Sequence, residues 1–228
     1  MSKSAILSSS LAKKYWMAFT GLFLCLFLIG HLLGNFQLFI PGEEGLLQFN
    51  AYAKFMTSNP VVKILSYVTY ISILFHAIDG VLLTIQNKKA RPTNYTYSKP
   101  SANSHWTSRN MGILGTIILV FIIVHMSNFW YVMHFGAIPM DSAGNKDLYT
   151  VVIAAFTDPQ IGLVYTLGYL LAMTAVGFHL YHGFSSAFSS LGLKTPKIEQ
   201  AIRVAGYAFA VLVPAAFASI PLYIHFTA

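Results

Sequence analysis

The chain has 228 residues, of which 56% are hydrophobic and 9% are charged. A soluble domain carries about 25% charged residues, so water is excluded as the main solvent of this one. The formal charge of +7 does not imply nucleic acid, because the basic residues sit in short stretches between apolar blocks, and the single cysteine, Cys25, excludes a disulfide framework, a CxxCH haem attachment and a Cys-ligated iron–sulfur cluster.

Five apolar blocks follow in chain order, each long enough for the roughly 20 residues that cross a bilayer. The first, 15–40, carries His31 and ends at Pro41. It is too long for the apolar region of a cleaved signal and lacks a small-residue cleavage site. The second, 61–86, opens after Asn59–Pro60 and carries His76. A polar, Pro- and Ser-rich connector, 88–108, leads to the third block, 110–135, with His125. Asp158–Pro159 starts the fourth, 159–188, which holds His179 and His182. The fifth, 198–226, contains Pro214 and Pro221, which a packed membrane bundle tolerates. The reading is a single all-α integral membrane domain, 1–228, with five transmembrane helices.

The fourteen Lys and Arg residues divide unevenly between the two ends of these spans. Lys3, Lys13, Lys14, Lys88, Lys89, Arg91, Lys99, Arg109, Lys194, Lys197 and Arg203 fall on one side; only Lys54, Lys63 and Lys146 fall on the other. The positive-inside rule then places the N-terminus in the cytoplasm and the C-terminus outside.

Imidazole in hydrocarbon is costly, and an ionisable residue inside a span is a functional hypothesis by default. A lone one is readily explained by a hydrogen bond between helices; one on each of four successive helices is harder to dismiss. At 1.5 Å per residue, His31 and His125 lie about 24 and 22 Å from the cytoplasmic ends of their helices, and His76 and His179 about 15 and 14 Å. The spacing therefore predicts two pairs, His31 with His125 and His76 with His179, at levels about 8 Å apart. Zinc prefers four ligands converging on one point, whereas two imidazoles at one height suit the two axial positions of a haem iron. Such a haem has no open position and serves electron transfer. Small residues Gly30, Gly34, Gly80 and Gly183 near the histidines fit either room for a porphyrin edge or close helix packing.

Taken in order, the segments GHLLGN, FHAIDG, VHMSNF and FHLYHG, followed by a fifth helix without a ligand, give the whole chain a resemblance to a known family. It resembles the five-helix, dihaem cytochrome b membrane-anchor subunit of succinate dehydrogenases and fumarate reductases that use menaquinone. The resemblance implies two haem b groups stacked in the bundle, a distal one on His31 and His125 and a proximal one on His76 and His179. It implies flavoprotein and iron–sulfur partner subunits on the cytoplasmic face, a menaquinone or other quinone substrate, and a bacterial cytoplasmic membrane. Some relatives place a proton-transferring glutamate just before the fourth-helix ligand; Gly177 and Phe178 stand there in this chain. A cytochrome b anchor of another respiratory dehydrogenase or hydrogenase and a haem-free transporter with a histidine relay are the rival readings.

Secondary candidates surround the four ligands. His182, one turn from His179, competes with it as ligand, and FHLYHG aligned to the family favours His179. His182 and Arg203, with Asp79, are candidates for an inner layer around the proximal propionates, against a plain Asp–Arg helix tie. Asn35 and His134 are candidates for a quinone site at the outer end, against interfacial anchoring. The connector 88–109 is the candidate docking surface for soluble subunits, against attraction to anionic lipid.

Overall fold

The computed structural model describes residues 10–89 and 105–228; the body of the candidate docking connector lies outside the described residues. Within them the helices are α1 (Ser10–Asn35), α2 (Gly42–Ser58), α3 (Pro60–Lys89), α4 (Trp106–Arg109), α5 (Met111–Phe135), α6 (Leu148–Thr157), α7 (Gly162–Ser190) and α8 (Glu199–Thr227). Five of them, α1, α3, α5, α7 and α8, are long and apolar enough to cross a membrane.

The spans agree with the hydropathy blocks, and the differences at their ends have local causes. Helix α1 starts earlier, at Ser10, since Leu11, Ala12, Lys13 and Lys14 are all good helix formers. Its α-helical part stops at Asn35, and a 3-10 turn, Phe36–Phe39, completes the apolar block. Gly42 then adopts a φ of 72°, a conformation open to glycine at little cost, and turns the chain into α2. Helix α2 has no signature as an apolar run, because its composition is mixed, with Glu43 and Glu44 in the first turn. Those carboxylates suit the positive end of the helix dipole. Helix α8 runs unbroken through Pro214 and Pro221.

Helices α1, α3, α5 and α7 form a four-sided bundle. Helix α1 packs along α3 and α7, α7 packs along α5, and α8 lies outside this square against α7 and α1. The α7–α8 seam is close: a Cβ on Gly177 would stand 3.1 Å from the Ala210 carbonyl oxygen, and one on Gly206 would stand 2.9 Å from the Phe184 ring. The α3–α5 side is the loosest and leaves an apolar groove of about 580 Å³ between Ile73, Ala77, Leu119 and Ile122, with Tyr70 and Trp130 at one end. Buried apolar side chains form two clusters. One joins α1, α2, α6 and α8 through Leu32, Leu38, Phe49, Phe156 and Ile224; the other joins α1, α7 and α8 through Cys25, Leu180 and Ala210. Cys25 is thus a packing residue. Neither cluster contains a residue of α3.

The end of the bundle away from the N-terminus is closed by a polar knot. Asn50, fully buried, donates to Asp141 Oδ2 at 3.2 Å and to Asp147 Oδ1 at 3.0 Å, while its own oxygen accepts from Tyr149 N at 2.9 Å. Asp147 also caps α6 by accepting from Thr150 N. Lys146 Nζ donates to the Met133 carbonyl at 2.7 Å, satisfying one of the carbonyls left free at the end of α5.

This knot makes two expectations. Replacing Asn50 with Leu leaves two carboxylates and a buried N–H without their partner and costs on the order of 3 kcal/mol, a fall of roughly 6–12 °C in the unfolding midpoint of the detergent-solubilised chain. Acid acts on the same place. Hydrogen bonds from Asn145 and Asn50 hold Asp141 below the usual aspartate range. At Asp147 burial pushes upward, but hydrogen bonds from Thr150 and Asn50 more than offset it. A carboxyl depressed on folding contributes stability above its unfolded pKa and loses it as pH falls through the folded value. Thermal midpoints taken from neutral pH downward should therefore hold until the aspartate range is passed and then drop, and the Asn50→Leu chain should show a smaller drop.

Candidate functional site: two imidazole pairs on the bundle diagonals

Helices α1 and α3 both bury the face that carries a histidine, and so do α5 and α7. In a four-sided bundle those faces meet across the middle. His31 of α1 faces His125 of α5 with ring centroids 5.8 Å apart, and His76 of α3 faces His179 of α7 at 6.0 Å. Each pair spans a diagonal, between helices that do not pack extensively against one another. The structure thus brings together the four histidines in the two pairs that depth reckoning proposed. No third His, Cys, Asp or Glu joins either pair as a metal-binding cluster among the described residues.

The spacing of the two levels differs from the sequence expectation. Thr20 of α1 touches His76 and Tyr169 of α7 touches His125. Counting along α1 from Thr20 to His31, or along α7 from Tyr169 to His179, separates the levels by about 15 Å of helix, not about 8 Å. The earlier figure treated the ends of all spans as flush, whereas α1 begins at Ser10 and α3 runs on to Lys89.

Each pair sits in its own surroundings. At the outer level His31 stacks on Phe27 at 5.3 Å and meets Phe217 at 5.6 Å. His125 lies between Phe121 and Phe129, at 5.6 and 5.4 Å, with its Nδ1 3.1 Å from the Tyr169 hydroxyl. The amide of Asn35 donates to the His31 carbonyl at 2.8 Å and lies 3.4 Å from His31 Nδ1. At the inner level His76 Nδ1 is 3.1 Å from Thr20 Oγ1. Gly21 makes room for that ring: a Cβ there would stand 3.2 Å from His76 Cε1. His179 Nδ1 is buried with no hydrogen-bond partner, a state that ordinarily costs about 1–3 kcal/mol. Thr107 Oγ1 and Asn128 Nδ2 are the other buried polar side-chain atoms in that condition among the described residues.

Just beyond His125 the helix changes character. Met126–Tyr131 is a π-helical turn, which inserts an extra residue and is frequent at functional sites. It turns the following residues, so that Trp130 donates its Nε1–H to Tyr70 of α3 at 2.7 Å while Phe129 stays with His125 and Tyr169. The plain apolar run of α5 carries no signal for it.

The secondary candidates fare differently. His182 lies half-buried one turn from His179, toward His105, and is not paired with His76. Arg203 is exposed: Ile202, Gly206 and Ala210 are the buried positions of the first half of α8, so the residue about 100° round from Ile202 points away from α7. No ion pair between Asp79 and Arg203 is seen; the ion pair at this end joins Lys194 and Glu199 at 3.0 Å. Asn35 and His134 are not joined by any contact seen, since the Asn35 amide folds back on its own helix and the His134 ring stacks on Trp130 at 4.5 Å. Of the flanking glycines, Gly34 serves packing, for its Cβ would strike the Tyr52 ring at 2.5 Å, while Gly30 faces open space. Sequence reading missed Thr20, Gly21 and Tyr169. No pattern within one helix marks them, because each matters only through a histidine on a neighbouring helix.

Two imidazoles on opposite sides of one metal, each with a bond of roughly 2 Å, would hold their ring centroids about 6.3 Å apart. The observed 5.8 and 6.0 Å lie within a few tenths of that, and the residues fit a metal held between each pair. Replacing Gly21 with Val drives a branched side chain into the His76 ring, and were a metal held between the pairs, the inner pair alone would lose it. Replacing His182 with Ala would leave the metal content of the purified protein unchanged on the same supposition. Comparison with protein-family models, curated proteins and solved structures finds no match for this chain, and the paired imidazoles carry the functional reading by their geometry.

Proposed function

We propose that the chain is the dihaem cytochrome b membrane anchor of a succinate:quinone oxidoreductase, a succinate dehydrogenase or fumarate reductase. The observation that carries it is the pair of facing imidazoles on each diagonal of one bundle, 5.8 and 6.0 Å apart. His31 and His125 hold the distal haem b, and His76 and His179 the proximal one. When bound, haem supplies one-electron transfer without an open coordination position. The chain's own residues would fix that outcome: the two imidazoles of each pair would hold the iron, and at the outer level Phe27, Phe121, Phe129 and Phe217 enclose the rings.

With the N-terminus in the cytoplasm, the His76–His179 level lies toward the cytoplasmic face, where an iron–sulfur subunit and its flavoprotein partner dock. The His31–His125 level lies toward the outer face and a membrane quinone, menaquinone or another. Oxidation or reduction of the dicarboxylate belongs to the partner subunits. His182 supplies a propionate contact at the inner level, with Arg203 serving the membrane surface. At the outer level Asn35 and His134 would each have to release a hydrogen bond within their own helix to meet a quinone carbonyl. The location that follows is the cytoplasmic membrane of a bacterium.

The test is spectroscopic. The purified chain should show a b-type reduced-minus-oxidised spectrum and two haems per chain. His31→Ala or His125→Ala should leave one haem, His76→Ala or His179→Ala should leave the other, and the two single-haem spectra should add to the parent. A chain purified without haem or iron would leave the histidine-relay transporter, and an absence of covalent flavin in the native complex would move the assignment to another respiratory enzyme.

A further inference from the structure

Each imidazole pair has one member held by a hydroxyl from the neighbouring helix. Thr20 of α1 serves His76 of α3 at the inner level, and Tyr169 of α7 serves His125 of α5 at the outer level, both at 3.1 Å from Nδ1. The inner contact has a defined direction. Thr20 donates its own hydroxyl hydrogen to the Trp16 carbonyl at 2.7 Å, so toward His76 its oxygen can only accept. His76 Nδ1 therefore carries the proton on the side of Thr20, and the ring also makes a backbone hydrogen bond with Met17 of the same turn of α1. The Tyr169 hydroxyl meets His125 in the same position; with the other ring nitrogen of His125 on iron, Nδ1 would carry the proton and the hydroxyl would accept it. The opposite members lack this support: the Asn35 amide nitrogen near His31 Nδ1, which also donates to the His31 carbonyl, is a donor and cannot accept a proton from Nδ1, and His179 Nδ1 has no partner.

We infer that Thr20 and Tyr169 are positioning residues, each fixing the ring orientation and tautomer of one axial histidine and thereby setting the reduction potential of one level independently of the other. The inference rests on the dihaem reading. An acceptor on Nδ1–H raises the basicity of the coordinating nitrogen, and a more basic ligand favours ferric over ferrous iron. Removing the acceptor therefore shifts the midpoint of that level positive, by 59 mV for each tenfold change in the ferric-to-ferrous preference of a one-electron couple.

The experiment is a redox titration of the purified chain, with each midpoint assigned in a background that lacks the other haem. Tyr169→Phe should move the outer midpoint positive and leave the inner one in place, and Thr20→Val should do the reverse. Thr20→Ser keeps the hydroxyl and should restore the parent value, and Phe156→Leu, which disturbs the packing of Tyr169 at 5.0 Å without touching its hydroxyl, should move neither. Should Thr20→Val lose its haem, retention of that haem by Thr20→Ser supports the hydroxyl role, and its loss there too overturns it. Midpoints unmoved in both variants, both levels moved by either one, or Phe156→Leu matching Tyr169→Phe would each overturn the inference with two haems still bound. A parent chain without haem would instead remove the dihaem reading beneath it.

Discussion

An imidazole placed in hydrocarbon must find partners for both of its nitrogens or bear the cost of leaving them bare. Four helices of this chain carry that obligation at once, and most of the architecture follows from how it is met. The rings face each other across the diagonals, 5.8 and 6.0 Å apart, and two take a hydroxyl from the next helix in the square. Such an arrangement requires all four helices to turn their histidine faces inward together, which fixes their rotation about their own axes. The middle of the square holds polar rings and little aliphatic packing, in keeping with the absence of any α3 residue from the buried apolar clusters.

Stability comes from the periphery. Helix α8 contributes none of the pairs, yet its seam with α7, closed at Gly177 and Gly206, holds the helix that carries both His179 and Tyr169. At the far end, α2 and α6 are joined through Asn50, Asp141 and Asp147, and Phe156 of α6 reaches down to Tyr169 at 5.0 Å. The polar cap, the aromatic packing beneath it and the outer histidine pair thus form one continuous series of contacts.

Helix α5 shows how a local irregularity serves the same end. A regular α-helix would advance each residue after His125 by about 100°, and the π-turn at Met126–Tyr131 alters that progression. Phe129 stays against His125 while Trp130 reaches Tyr70 across the loosest side of the square. The hydrogen bond at 2.7 Å ties α3 to α5 at one end of a seam that otherwise opens into an apolar groove.

The sequence by itself determined the five spans, because hydropathy over a bilayer's length is a local property, and it determined which histidines could pair, because rise per residue converts position into depth. Only the tertiary structure decided the distance between the two levels, since helices of unequal length do not end flush. It alone revealed α2, whose charged and apolar residues are mixed, and the π-turn, which has no signature in a uniformly apolar run. The partners of the rings were likewise decided in three dimensions: Thr20 and Tyr169 meet histidines 56 and 44 residues away, and no pattern along one helix records what the neighbouring helix brings to the same depth.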